Sequence, residues 1–192
     1  CEEGFIFSSG GAMIFSEFNL LGLLGFTSSK VAQYYLNIFN PTLNNQVGDV
    51  LRLPIAEDLN NNIIESVKNC INISKKEWNS KETSWDFKTN IILKVTGQDL
   101  EESYDLYKQY WSNKFFLLHR YEEELNHQFI EIYVLQDELT NDVPLNDITI
   151  LQEETSIINN ELVFDKKEVF HQFISYAVGC MFGRYSLDKE GL

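Results

Sequence analysis

Between Asp99 and Leu139 large apolar side chains recur every three or four positions: Leu100, Tyr104, Tyr107, Trp111, Phe115, Leu118, Leu125, Phe129, Ile132, Leu135 and Leu139. That step keeps them on one face of a helix, and at about 1.5 Å rise per residue the pattern predicts a single amphipathic rod roughly 60 Å long. Asp99 can cap its start while Glu102 reaches back to the Asp99 amide, and Pro144 bars continuation. Nothing on this helix suggests chemistry by spacing alone. Its role is to support other elements.

Earlier in the chain, Gly4 to Ser8 and Ala12 to Phe15 flank Ser8-Ser9-Gly10-Gly11 and predict a hairpin or sheet edge. The glycine pair lacks the further glycines or lysine of a phosphate loop. From Ser16, Phe18 to Phe26 form an apolar helix, and Thr27-Ser28-Ser29 can end it and cap a second one with Val31, Tyr34, Tyr35, Ile38 and Phe39 on its buried face. Asn40-Pro41 stops that helix. Val47, Val50, Leu51 and Leu53 then predict a short strand ending at Pro54, and Ser74 with Glu77 predicts a short helix opening there. After the long helix, residues 147–150 and 161–164 read as two strands around Asn159-Asn160, and Asp165 with Glu168 opens a last helix carrying Phe170, Phe173, Ile174, Ala177, Val178 and Met181. Gly179 and Gly183 allow another helix to approach it. The expected fold class is α+β, mainly α: a helix pair with a small sheet, one long amphipathic central helix and a C-terminal helix. The expected organisation is 1–55, a connector with a short helix over 56–97, and a helical domain over 98–192 with a small hairpin.

With 192 residues, 44% hydrophobic and 14% aromatic, the chain can bury a real core. It has no apolar run long enough for a membrane span and no visible signal peptide. Three scattered cysteines (Cys1, Cys70, Cys180) and three histidines apart from them imply reduced thiols in a cytoplasm and no metal site. A start at Cys1 reads as a piece of something larger.

The net charge of −14 is unevenly spread: residues 1–95 hold eight basic and ten acidic side chains, residues 96–192 seven and nineteen. A polyanion would be repelled by the second half, so any nucleic-acid contact is expected in the first. There, Lys68 to Lys94 holds six lysines and three acids with Trp78, Trp85 and Phe87 interleaved. Lysines neutralise phosphates and aromatic rings stack on bases. The plainer alternative is that the tryptophans anchor the connector and the lysines are merely solvated.

Four segments carry a resemblance. "LLGLLGFTSSKVAQYYLNIFNPTLNNQVGDVLRLPI" (Leu20 to Ile55) resembles the tail of the target-recognition domain of adenine-specific DNA methyltransferases. "ISKKEWNSKETSWDFKTN" (Ile73 to Asn90), "EELNHQFIEIYVLQDEL" (Glu123 to Leu139) and "FISYAVGCMFGRYSLDKEGL" (Phe173 to Leu192) are similar to the PglX family of BREX phage-exclusion systems. The resemblance implies a parent enzyme that uses S-adenosylmethionine to methylate adenine, with DNA and other phage-defence proteins as partners. The glycine-rich cofactor loop and the Asn/Asp-Pro-Pro-Tyr loop of such an enzyme are not in this sequence, whose prolines, Pro41, Pro54 and Pro144, are never paired. No catalytic, cofactor or metal residue is therefore assigned. Lys30, Arg52, Lys75, Lys76 and Lys81 are the expected DNA contacts. The rival expectation is a helical module that docks other defence proteins.

Overall fold

A computed structural model describes residues 14–15, 19–42, 46–56, 59–95 and 97–185. The hairpin expected around Ser8 to Gly11 lies outside them. The elements in order are α1 (Leu20–Thr27), α2 (Lys30–Phe39), α3 (Val47–Val50), α4 (Asn61–Trp78), α5 (Leu100–Ile132), β1 (Thr155–Ile158), β2 (Glu161–Phe164) and α6 (Lys166–Met181). This is the expected α+β, mainly α class. By internal contacts the chain divides into two units, Cys1–Val67 with Glu124–Asn141 and Lys68–Glu123 with Asp142–Leu192.

In the first unit, the Asn19 side chain caps α1 and Ser29 caps α2 by accepting from the Ala32 amide at 3.3 Å. Val31 and Ala32 are fully buried, whereas Ile38, expected inside, is exposed. The Phe26 ring stacks on Tyr133 with centroids 5.3 Å apart and meets Phe129 edge-on at 5.7 Å. Gly25 makes this packing possible, because a Cβ there would lie 2.5 Å from Val67 Cγ2. The strand expected over Val47 to Leu53 is instead the short helix α3. Asp49 selects it, accepting from the Gln46 amide and from Asn40 Nδ2, both at 2.9 Å, which fixes a helical turn where an extended chain would find no such partners.

The long helix is real but ends at Ile132, seven residues before Leu139. The Leu135 amide donates to Ile130 O at 3.0 Å and the Val134 amide to Glu131 O at 3.2 Å, a Schellman closure that puts Val134 in the left-handed region with φ 53. A β-branched residue is strained there, and Val134 is exposed, so Val134→Gly should raise stability by about 1 kcal/mol in chemical denaturation. At the other end Asp99 accepts from the Glu102 amide at 2.9 Å, while the Glu102 carboxylate reaches Gln98 rather than Asp99.

The second unit is built on the middle of α5. Tyr104, Tyr107, Trp111, Phe115 and Leu118 are buried with Ile73 of α4, Ile92, Ile148, Ile150, Leu151 and Val169 of α6. Helix α4 begins at Asn61, with the Asn60 side chain accepting from the Ile63 amide at 2.9 Å, so Ser74 lies within it and opens nothing. The hairpin pairs Ile158 with Glu161 and Ile157 with Leu162. Asn159 and Asn160 both have positive φ, the two-residue turn that closes such pairs, and a turn of two residues places the first strand at 155–158 rather than 147–150. Ile148 and Ile150 serve the core instead. Asp165 caps α6 as its sequence implied, accepting from Lys167 and Glu168 amides. Only Val169 and Tyr176 of α6 are buried, and Ile174, Val178 and Met181 face out. Among the described residues, what lies nearest Gly179 is not a second helix. The Tyr185 ring covers it, and Gly183, at φ +75, ends the helix.

Cys70 and Cys180 are free thiols. Burial, helped by the nearby Glu122 carboxylate, pushes the Cys70 thiol up to about 12, which removes it as a nucleophile at neutral pH. Among the described residues no group of three or more His, Cys, Asp and Glu side chains could hold a metal, and no helix is long and apolar enough to cross a membrane.

Candidate nucleic-acid interface

Asn72, Lys75 and Lys76 follow one another at helical spacing and share one face of α4, and Asn79 comes directly after its last residue, Trp78. These residues line a groove of about 830 Å³ in the second unit together with Asp86, Lys88, Thr89, Ile91, Lys94 and Val95 from the segment that follows. Tyr110 of α5 also lines the groove, as does Ser80. The segment after α4 is held by short-range bonds: Ser84 Oγ donates to Asn79 Oδ1 at 2.8 Å, Phe87 is buried, and Asn90 Oδ1 accepts from the Ile92 amide at 3.0 Å.

Four ammonium groups thus line the groove with one carboxylate, a local excess of positive charge on an acidic chain. Lys75 and Lys76 also sit in the last turn of α4, where the helix dipole favours cations. Lys76 Nζ lies 5.2 Å from the Tyr110 ring centroid, and the Tyr110 hydroxyl is buried without a hydrogen-bond partner among the described residues. A smaller adjoining recess of about 240 Å³ shares Asn72 and Lys76 and adds Lys114. Trp78 and Trp85 are 60% and 86% exposed, and Phe87 is the residue that is buried.

No family model matches the chain. It is, however, 35% identical over 196 residues to the adenine-specific methyltransferase PglX of Lacticaseibacillus casei (strain Zhang), and 33% identical over 198 residues to the adenine-specific methyltransferase BrxX of Escherichia coli O9:H4 (strain HS). These alignments take in 98% and 99% of the chain. Along nearly its whole length the chain is similar to one part of the PglX and BrxX proteins. It spans 15% and 16% of the length of these two relatives.

Of the five cations expected to face DNA in a PglX-type protein, the structure brings Lys75 and Lys76 into the groove, together with Lys88 and Lys94, which were only part of the lysine count. Lys81 is a correction. Its ammonium group is bonded to the carboxylate of Glu154, which is 1% exposed, and lies 3.5 Å from Glu77 Oε1, so it is an internal counter-ion. Glu77 in turn accepts from the Leu151 amide at 3.2 Å, and burial raises its carboxyl above the usual range. In the other unit, Lys30 donates its backbone amide to Asn126 Oδ1 at 2.9 Å and its ammonium group to Thr140 O at 3.2 Å. Arg52 lies over the Phe39 ring at 4.9 Å. Neither belongs to the groove. Tyr110 and Lys114 carried no signal in the sequence, because they reach the site only through the packing of α5 against residues some thirty to forty positions earlier.

Proposed function

We propose that this chain is a non-catalytic, DNA-contacting part of an adenine-specific DNA methyltransferase of a BREX-type phage-defence system, following the recognition domain as a helical spacer. The observation that carries this reading is the lysine groove: an acidic chain gathers four of its fifteen basic residues, with a single carboxylate, around one recess, a lining whose charge attracts a polyanion. The similarity to adenine-specific methyltransferases supports DNA as that polyanion. The groove does not suit S-adenosylmethionine, whose sulfonium centre is itself a cation, and the sequence lacks the loops that hold the cofactor and the target amine. The chain alone is therefore inactive, and calorimetry on it should detect no stoichiometric S-adenosylmethionine binding.

Each lysine–phosphate contact contributes about −0.9 to the log-log salt dependence of duplex binding. In a full-length enzyme carrying this segment, Lys75→Gln with Lys76→Gln should flatten that slope by about 1 to 2 units and weaken binding across sequences alike. Lys81→Gln acts on the fold and should leave the slope of the remaining folded protein unchanged. An unaltered slope in the Lys75/Lys76 variant would remove the groove from the DNA interface.

A further inference from the structure

Resting on the DNA-contact reading above and narrowing it, we propose that the lysine groove takes a single, unpaired nucleic-acid strand rather than a duplex. The first ground is size. A recess of about 830 Å³ lies in the range that encloses a small organic molecule, so it admits a few nucleotides of one strand. A duplex, with two backbones and stacked pairs between them, can only touch its rim. The second ground is the mixture of groups. The four lysines of the lining can meet successive phosphates of one strand, and the adjoining recess, which shares Lys76, adds Lys114. Tyr110 lines the same recess, and Trp85 directly precedes the lining residue Asp86 with 86% of its surface in solvent.

Lysine with exposed aromatic rings is the chemistry that binds single strands without sequence preference: cations hold the backbone while unpaired bases, whose faces a duplex hides, lie against the rings. Asp86, the one carboxylate of the lining, disfavours a compact, highly charged anion more than an extended strand whose charges are spaced along it.

The test uses the 192-residue chain, a labelled oligo-dT, a duplex of equal length and pyrophosphate, at low salt. Oligo-dT should bind at least tenfold more tightly than the duplex. Trp85→Ala, an exposed change that leaves the core alone, should weaken oligo-dT binding by roughly five-fold to a hundred-fold while leaving duplex binding unchanged. Lys88→Gln with Lys94→Gln should weaken both. Equal binding of the two forms, no effect of Trp85→Ala, no binding of oligo-dT, or its displacement by pyrophosphate at equal phosphate concentration would each overturn the inference. A duplex touching the rim still meets Lys75 and Lys76, so the duplex salt slope of the full-length variant tests the DNA-contact reading separately, and a loss of the single-strand preference leaves that reading to stand or fall by the slope.

Discussion

Trp111→Ala is expected to cost about 3 to 5 kcal/mol of unfolding free energy, and Phe115→Ala about the same. Trp111 is 0% exposed and sits where α5 passes through the core of the second unit, edge-on to Tyr107 and Tyr110 with ring centroids 6.5 and 5.1 Å away. Removing the indole opens a cavity that flanking aromatics on the same rigid helix cannot collapse to fill. The same truncation should also loosen the groove, because Tyr110 on its lining loses its neighbour. Denaturant unfolding followed by circular dichroism measures the loss. A cost below about 1 kcal/mol would mean that the α5 stripe is a surface rather than a core.

Lys81→Met is expected to be as damaging, about 3 to 5 kcal/mol, for a different reason. Glu154 is almost wholly buried and receives both the Lys81 ammonium group and, at 3.2 Å, the Tyr107 hydroxyl. Without Lys81 the carboxylate is left with a phenol as its main partner, and the same Glu154 supplies the carbonyl that accepts from the Asp165 amide at 2.8 Å, next to the start of α6. Adding Glu154→Gln to Lys81→Met removes the stranded charge and should recover most of the loss. A double variant no better than the single one would show that Lys81 matters by its packing instead. Burial also holds the Tyr107 phenol in its protonated, donating form, well above the usual tyrosine range.

What could be read from the sequence was what short-range chemistry decides. Ser29, Asp99 and Asp165 cap helices because each meets amides two or three residues on, and Asn159-Asn160 forms the turn because both residues tolerate positive φ. The stripe of α5 was legible because it repeats over many turns. Short apolar runs carry no such redundancy. Val47 to Leu53 suits a strand or a helical turn equally, and a single carboxylate, Asp49, decides between them. The Ser74 box was misleading because its residues are equally at home inside a helix already begun. Of the groove's four lysines, two were singled out by the sequence. Lys75 and Lys76 stood out as charges in a polar stretch, but a lysine count cannot separate one that faces solvent from Lys81, whose partner Glu154 lies 73 residues further on. Tyr110 was hidden for the same reason, since the groove depends on contacts between distant parts of the chain.

The central claim, that this segment meets DNA through its lysine groove, is tested most directly by photo-crosslinking a full-length PglX-type enzyme carrying this sequence to its DNA and mapping the linked peptides. The groove predicts crosslinks between residues 72 and 94, lost when Lys75, Lys76, Lys88 and Lys94 are replaced by glutamine. Crosslinks confined to other parts of the enzyme, with none in residues 1–95, would contradict it and leave the chain as a structural or protein-docking segment.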